Sequence, residues 1–305
     1  MSTAPSSAPP TRAHERALVL AGGGAAGNAW QLGIVAGLAD AGVDLTEAEL
    51  IIGTSAGSTV AAQITCGTRP SQLYAAILGE VPPARPARAG GDDRGARTLS
   101  GPSYLEWSNA IIGSAADAAE MRRLMGTAAL ERDVSDGSDS ARWRETVAAR
   151  LHSHDWPSRR VLIPAVDAHT GEPVVFDRHS GIDLVDAVAA STSAMTPYRI
   201  GERRYLNGGY RRSENADLAA GYGRVLVLSP FGGRSRMPAA WGMDLASQVR
   251  ELRAGGSRVE TVFPDARSGE VFDANALDPS TRPPAARGGH DQGLALAEQL
   301  AGFWT

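Results

Sequence analysis

At 305 residues with 43% hydrophobic side chains, the chain is long enough to bury one large α/β core or two small ones, and one domain with an irregular insertion is expected. A formal charge of −4 and a pI near 5.9 leave no basic footprint, so nucleic acid is excluded as an expected partner. All 30 basic residues are arginine, which excludes a Schiff-base lysine, a P-loop lysine and a Ser-Lys dyad.

Residues 1–15 begin with a Ser, Pro and Ala-rich stretch that lacks the apolar core of a signal peptide, and they read as a disordered tail ahead of a domain over 16–305. No segment reaches the ~20 apolar residues of a membrane span. A cytoplasmic protein with at most peripheral membrane contact is the expectation. Ala17 to Ala21 is a short apolar run, Gly22-Gly23-Gly24-Ala25-Ala26-Gly27 follows, and Trp30, Leu32, Ile34, Val35 and Leu38 then recur with helical spacing. The pattern predicts strand, glycine loop, helix. Such a loop offers successive backbone N–H groups to a phosphate or an oxyanion. A dinucleotide site would also need an acid at the end of the next strand, and none stands there.

That next strand, Leu50-Ile51-Ile52, runs into Gly53-Thr54-Ser55-Ala56-Gly57 and small, helix-compatible residues. Strand, sharp turn and helix in this order form the setting of a nucleophile elbow, with Gly53 and Gly57 allowing strand and helix to approach around Ser55. Helix N–H groups starting at Ser55 would point toward an anion formed there. Cys66, the single cysteine, lies on the apolar stretch that follows and reads as a small buried residue, with no partner for a disulfide or a cysteine-based zinc site.

The two glycine blocks, in this order and at this short spacing, resemble the patatin-like phospholipase family of lipid acyl hydrolases. The resemblance implies a three-layer α/β/α fold with a mainly parallel central sheet, a Ser-Asp dyad with Ser55 as nucleophile, and an oxyanion hole from the amides of Gly22, Gly23, Gly24 and Ala25. It implies an acyl ester or lipid as substrate. No cofactor and no catalytic metal are expected; His152, His154, His169 and His179 show no metal-ligand spacing.

Pro82 to Arg97 is rich in Pro, Arg, Gly and Asp and predicts a loop opening an insertion at about 82–140. Helices are expected near 104–112, 115–125 and 141–151. Leu105, Trp107, Ile111, Ile112, Met121, Leu124 and Met125 would line an acyl-binding lid or simply pack into the core. Val161 to Val166 and Pro173 to Phe176 read as strands, Leu184 to Ala190 as a helix, and the Thr-Gly-Glu turn and Ala190-Ser191 segment again resemble the family. Further on come a strand at Val225 to Leu228, a helix from Ala239 to Arg253, a strand from Val259 to Phe263 and a helix from Gln292 to Phe303.

The family has an aspartate ahead of a Gly-Gly or Gly-Ala pair, whereas this chain has Asn207 before Gly208 and Gly209. A carboxylate can take the serine proton; a neutral amide has no useful basicity. Three explanations fit: an introduced Asp-to-Asn change that traps a ligand, a natural weak enzyme or silent acyl-lipid binder, or a different base. The intact surrounding motifs favour the first. Candidates for a different base are Asp217, Asp167, His169 and His290, the last as the third member of an α/β-hydrolase-like Ser-Asp-His triad. Asp217 also reads as a helix cap, and His290 as a helix-start or surface residue.

Overall fold

Apolar runs with no polar interruption make the strands, because helices cover both faces of a parallel sheet. A computed structural model describes residues 16–80, 101–269, 271–272 and 275–304. The expected tail and residues 82–100 of the expected insertion lie outside these. Strands β1 (Arg16–Leu20), β2 (Leu50–Gly53), β3 (Arg160–Asp167), β4 (Pro173–Phe176), β5 (Tyr198–Ile200), β6 (Arg203–Asn207), β7 (Arg224–Leu228) and β8 (Arg258–Val262) form one sheet. Their order is β5-β6-β3-β2-β1-β7-β8, with β4 also paired to β3. The run from β3 to β8 is parallel, and the β4, β5 and β6 pairings are antiparallel.

The helices are α1 (Gly24–Asp40), α2 (Ala56–Ile64), α3 (Pro70–Leu78), α4 (Gly101–Ser114), α5 (Ala118–Arg132), α6 (Ser138–Ala148), α7 (Leu184–Thr192), α8 (Leu245–Ala254) and α9 (Arg282–Trp304). Alternation along each strand separates two cores. Leu18, Leu20, Ile51, Ile163, Leu226 and Leu228 pack with residues of α1, α2, α7 and α9. Ala17, Val19, Leu50, Ile52, Val225 and Val227 pack with α8 and the short 3-10 turn Ala216–Ala219. The result is the expected α/β/α arrangement, with one helical layer much thicker than the other.

Several boundaries differ from the sequence reading, two of them with a visible local cause. The helix expected from Ala239 is a short 3-10 turn that stops at Gly242, where φ is +64°, and α8 restarts after Asp244 accepts from the Ser247 N–H. The last helix begins ten residues earlier than expected, with Pro283 and Pro284 in its first turn, where a missing N–H costs no hydrogen bond. Gly288-Gly289 therefore lie inside α9. Gly288 is needed there against Arg267 and Ser268, and Gly289 because α1 and α9 pack backbone to backbone: a side chain on Gly33 or Gly37 would strike the carbonyls of Ala286 or His290, and one on Gly289 that of Trp30.

The insertion helices pack more as core than as an open lid. Ile112, Met121 and Met125 are buried with Val166, Leu206, Tyr210 and Met243, and Trp107 and Ile111 lean on the same cluster. Leu105 and Leu124 stay half-buried. Among the described residues no helix is long and apolar enough to cross a membrane.

The α1–α9 contact leaves no room for a side chain, so Gly37→Leu is expected to lower stability by about 2–3 kcal/mol. Urea denaturation checks this; an unchanged midpoint would mean that α9 moves away freely.

Candidate active site

β1 and β2 run side by side, so the turns at their carboxyl ends meet. The Thr54 N–H donates to the Leu20 carbonyl at 2.9 Å, which continues the ladder one residue past the strand. Ser55 follows with φ 53° and ψ −122°, a conformation that L-residues avoid and that elbows adopt. Gly57 sits so close to Leu20 that any side chain would collide with that carbonyl, and a Cβ on Gly53 would lie 2.6 Å from Ser58 Cα. Both flanking glycines are thus required by contact rather than by flexibility.

The glycine loop lies against the elbow: a Cβ on Gly22 would stand 3.3 Å from Ser55 Cβ. Gly24 has φ +62° and opens α1 with no side-chain cap. The Ala26 N–H donates to the Ala276 carbonyl at 3.0 Å and that of Gly27 to the Gly23 carbonyl at 2.8 Å, so of the loop it is Gly22 that stands against Ser55. The glycine loop that opens α1 and the start of α2 at Ser55 thus lie side by side at the ends of β1 and β2, and helix dipoles favour negative charge at such ends.

Asn207 ends β6 opposite Ala165 of β3. The first half of β3 pairs with β2 and its second half with β6, which brings residue 207 to the elbow. Asn207 Nδ2 donates to Ser55 Oγ at 3.0 Å, and Asn207 Oδ1 accepts from the Gly209 N–H at 2.9 Å. That second bond fixes the amide: flipped, it would set two donors face to face. Gly208 allows the approach, since a Cβ there would meet the Pro164 carbonyl and come within 3.0 Å of Ser191 Oγ.

Several supporting residues carry no motif. Ser191 Oγ accepts from the Ser55 N–H at 3.0 Å and so holds the elbow from α7. Asn215, at φ 60°, donates from one amide nitrogen to Thr54 Oγ1 and to the Gly208 carbonyl, both at 3.0 Å, tying the elbow to the loop after residue 207. The Ala190-Ser191 segment was visible as a family resemblance; the part played by Asn215 had no signal beyond its type. Beneath them Glu214 is buried and accepts from the hydroxyls of Ser213 and Ser229.

The other candidate bases lie elsewhere. Asp217 forms a two-pronged pair with Arg211 at 2.9 and 2.7 Å. Asp167 accepts from the N–H groups of His169 and Thr170 and closes the turn after β3, where His169 is exposed. His290 stacks on Tyr74 and pairs at 2.9 Å with Asp40, the last residue of α1, which lies about 24 Å along the helix from Gly24 at ~1.5 Å per residue. A Ser55-His290 triad is therefore not assembled. Among the described residues no cluster of His, Cys, Asp and Glu is placed to hold a metal.

Burial pushes the Glu214 carboxyl above its usual value near 4.5, against the pull of its two serine hydroxyls. A carboxyl whose folded pKa is raised contributes stability that is full below the unfolded pKa and is lost as pH rises through the folded one. Glu214→Gln can accept from Ser229 and donate to Ser213, so it is expected to shrink the stability loss between pH 4.5 and pH 8. Urea midpoints at the two pH values check this, and an unchanged difference would exclude Glu214 as its source.

The Patatin-like phospholipase profile matches residues 18–220. No curated protein sequence matches the chain. Among solved structures, VipD from Legionella pneumophila is similar at 12% identity with a TM-score of 0.45, over 94% of this chain and 67% of that one. The type III effector protein ExoU is similar at 17% identity with a TM-score of 0.40, over 95% of this chain and 53% of that one. The chain thus spans about two thirds and about half of the lengths of these two proteins. With a match running from β1 through the elbow, β6 and the segment after residue 207, the chain belongs to the patatin-like phospholipase family.

Proposed function

We propose that this chain is a serine acyl hydrolase of lipid or other carboxylic esters whose turnover is held low by Asn207. Ser55 Oγ attacks the ester carbonyl, and the amides of Gly22 to Ala25, with the start of α2, receive the oxyanion. Residue 207 stands where a base would take the Ser55 proton and return it to the leaving alcohol. Water then releases the acyl group by the same route in reverse.

The observation that carries this reading is the direction of one hydrogen bond. Asn207 Nδ2 donates to Ser55 Oγ, while Oδ1 is committed to the Gly209 N–H. The serine oxygen is a hydrogen-bond acceptor here and its proton has no base. An aspartate in the same place would keep the Gly209 bond with one oxygen and accept from the Ser55 hydroxyl with the other. Exchanging NH₂ for O⁻ inverts the polarity of the contact without moving the backbone. Removal of one member of such a constellation costs on the order of 10⁴-fold in turnover.

The runner-up is a silent acyl-lipid binder, favoured by the same donor on Ser55. Either way the protein is proposed to be cytoplasmic and to meet its lipid by peripheral contact. Hydrolysis of p-nitrophenyl esters by this chain, by Asn207→Asp and by Asn207→Asp with Ser55→Ala separates the two. The expected outcome is a gain of about 10³–10⁴-fold in kcat with aspartate, abolished without Ser55. An Asn207→Asp variant that stays inert on every ester, while lipid still binds, would leave only the binding reading.

A further inference from the structure

The bridge that Asn215 makes between the elbow and the loop after residue 207 works in one orientation only. Its Nδ2 gives one proton to Thr54 Oγ1 and the other to the Gly208 carbonyl, both at 3.0 Å. Its Oδ1 accepts from Arg211 Nη1 at 2.9 Å. Turned over, the amide would set its oxygen against the Gly208 carbonyl and its NH₂ against a guanidinium. Asn215 is fully buried, so without Arg211 its oxygen would lie dry and unpaired. Arg211 is in turn held by the Asp217 carboxylate, through Nη1 at 2.9 Å and Nη2 at 2.7 Å, and both side chains are largely buried. At the other end Thr54 Oγ1 donates to the Glu214 carbonyl at 3.2 Å. Donors therefore point one way along Arg211, Asn215, Thr54 and Glu214, and each bond polarises the next.

We infer that Arg211 is a positioning residue of the acyl-transfer site, acting through the Asn215 amide, an inference that rests on the hydrolase reading above. Thr54 precedes Ser55 and Gly208 follows Asn207, so one nitrogen holds the immediate neighbours of both reacting positions. The 3.0 Å separation of the Ser55 and Asn207 side chains is thereby set by a charged group that hydrogen-bonds to neither. A guanidinium suits the task because Nη1 serves the amide oxygen and Asp217 together while Nη2 fixes the plane of the fork. A lysine ammonium would supply the charge without that plane.

Kinetics in the Asn207→Asp background test the inference. Arg211→Met keeps an apolar stem and removes the fork. Its kcat is expected to fall on the order of 10²-fold, the cost of a misplaced reacting group, with KM changed less than about threefold. Arg211→Lys should fall between, and it carries the same comparison if Arg211→Met melts below the assay temperature. Asn215→Gly keeps the positive φ and deletes the amide. If Arg211 acts through that amide, adding Arg211→Met to Asn215→Gly lowers kcat no further. An unaltered kcat in Arg211→Met, or a fall of the same size with and without the Asn215 amide, would overturn the inference.

A second readout needs no turnover and so separates this inference from the hydrolase reading. In the unaltered chain the side-chain NH₂ resonances of Asn207 report its contact with Ser55. Arg211→Met should shift them, and Asn215→Gly should shift them in the same direction, although neither residue bonds to the Asn207 side chain. Resonances that stay in place in Arg211→Met would refute the positioning role even if Asn207→Asp hydrolyses esters. Shifts in both variants, with Asn207→Asp inert on every ester, would keep the Arg211 linkage and remove the hydrolase reading alone.

Discussion

The carbonyl of Leu20 is the point on which the candidate site hangs. It accepts the Thr54 N–H, and it is the group that forbids a side chain at Gly57. One backbone oxygen thus sets the distance between the end of β1 and the start of α2. The glycine loop that follows Leu20 and the serine that follows Thr54 have no freedom to part. Everything charged that the site could stabilise depends on that spacing, because the two helix starts act together only if they aim at one point. Ser191, Asn215 and Gly208 then fasten the remaining sides, from α7 and from the loop beyond β6.

Within so fixed a frame a single atom can decide the chemistry. The amide at position 207 is locked by the Gly209 N–H, so it meets the serine with a donor and with nothing else. On the proposed hydrolase reading, the amide lowers turnover, and a carboxylate restores it, with no rearrangement of the chain. The other acids near the fold's upper edge are not spare bases. Asp217 is engaged by Arg211, Asp167 closes its own turn, and Glu214 is buried among serine hydroxyls that accept no part in the elbow's proton path.

Much of this was legible in the residues. The β-branched run before Gly53 and the glycine block after Leu20 are local patterns, and local patterns fix strand, loop and helix starts. Asn207 stood out because a local motif carried the wrong chemical group. What escaped was set by contacts between distant segments. The last helix reads as starting at Gln292, yet Gly288 and Gly289 already lie inside it, where Trp30 and the segment at Arg267 and Ser268 press against them. β5 and β6 are short and arginine-rich, without alternation strong enough to announce a strand, and they exist because β3 offers a free edge. Ser191 and Asn215 are common polar residues whose roles appear only when β2 and β6 are brought together.

The central claim is that Ser55 is a preorganised nucleophile lacking only its base. The rate of covalent capture by an alkyl fluorophosphonate measures this directly, since serine oxygen must displace fluoride at phosphorus for the label to attach. Peptide mass mapping should find the label on Ser55 alone, forming slowly in this chain and orders of magnitude faster when residue 207 is aspartate. Capture at another serine, or equal rates with asparagine and aspartate, would contradict it.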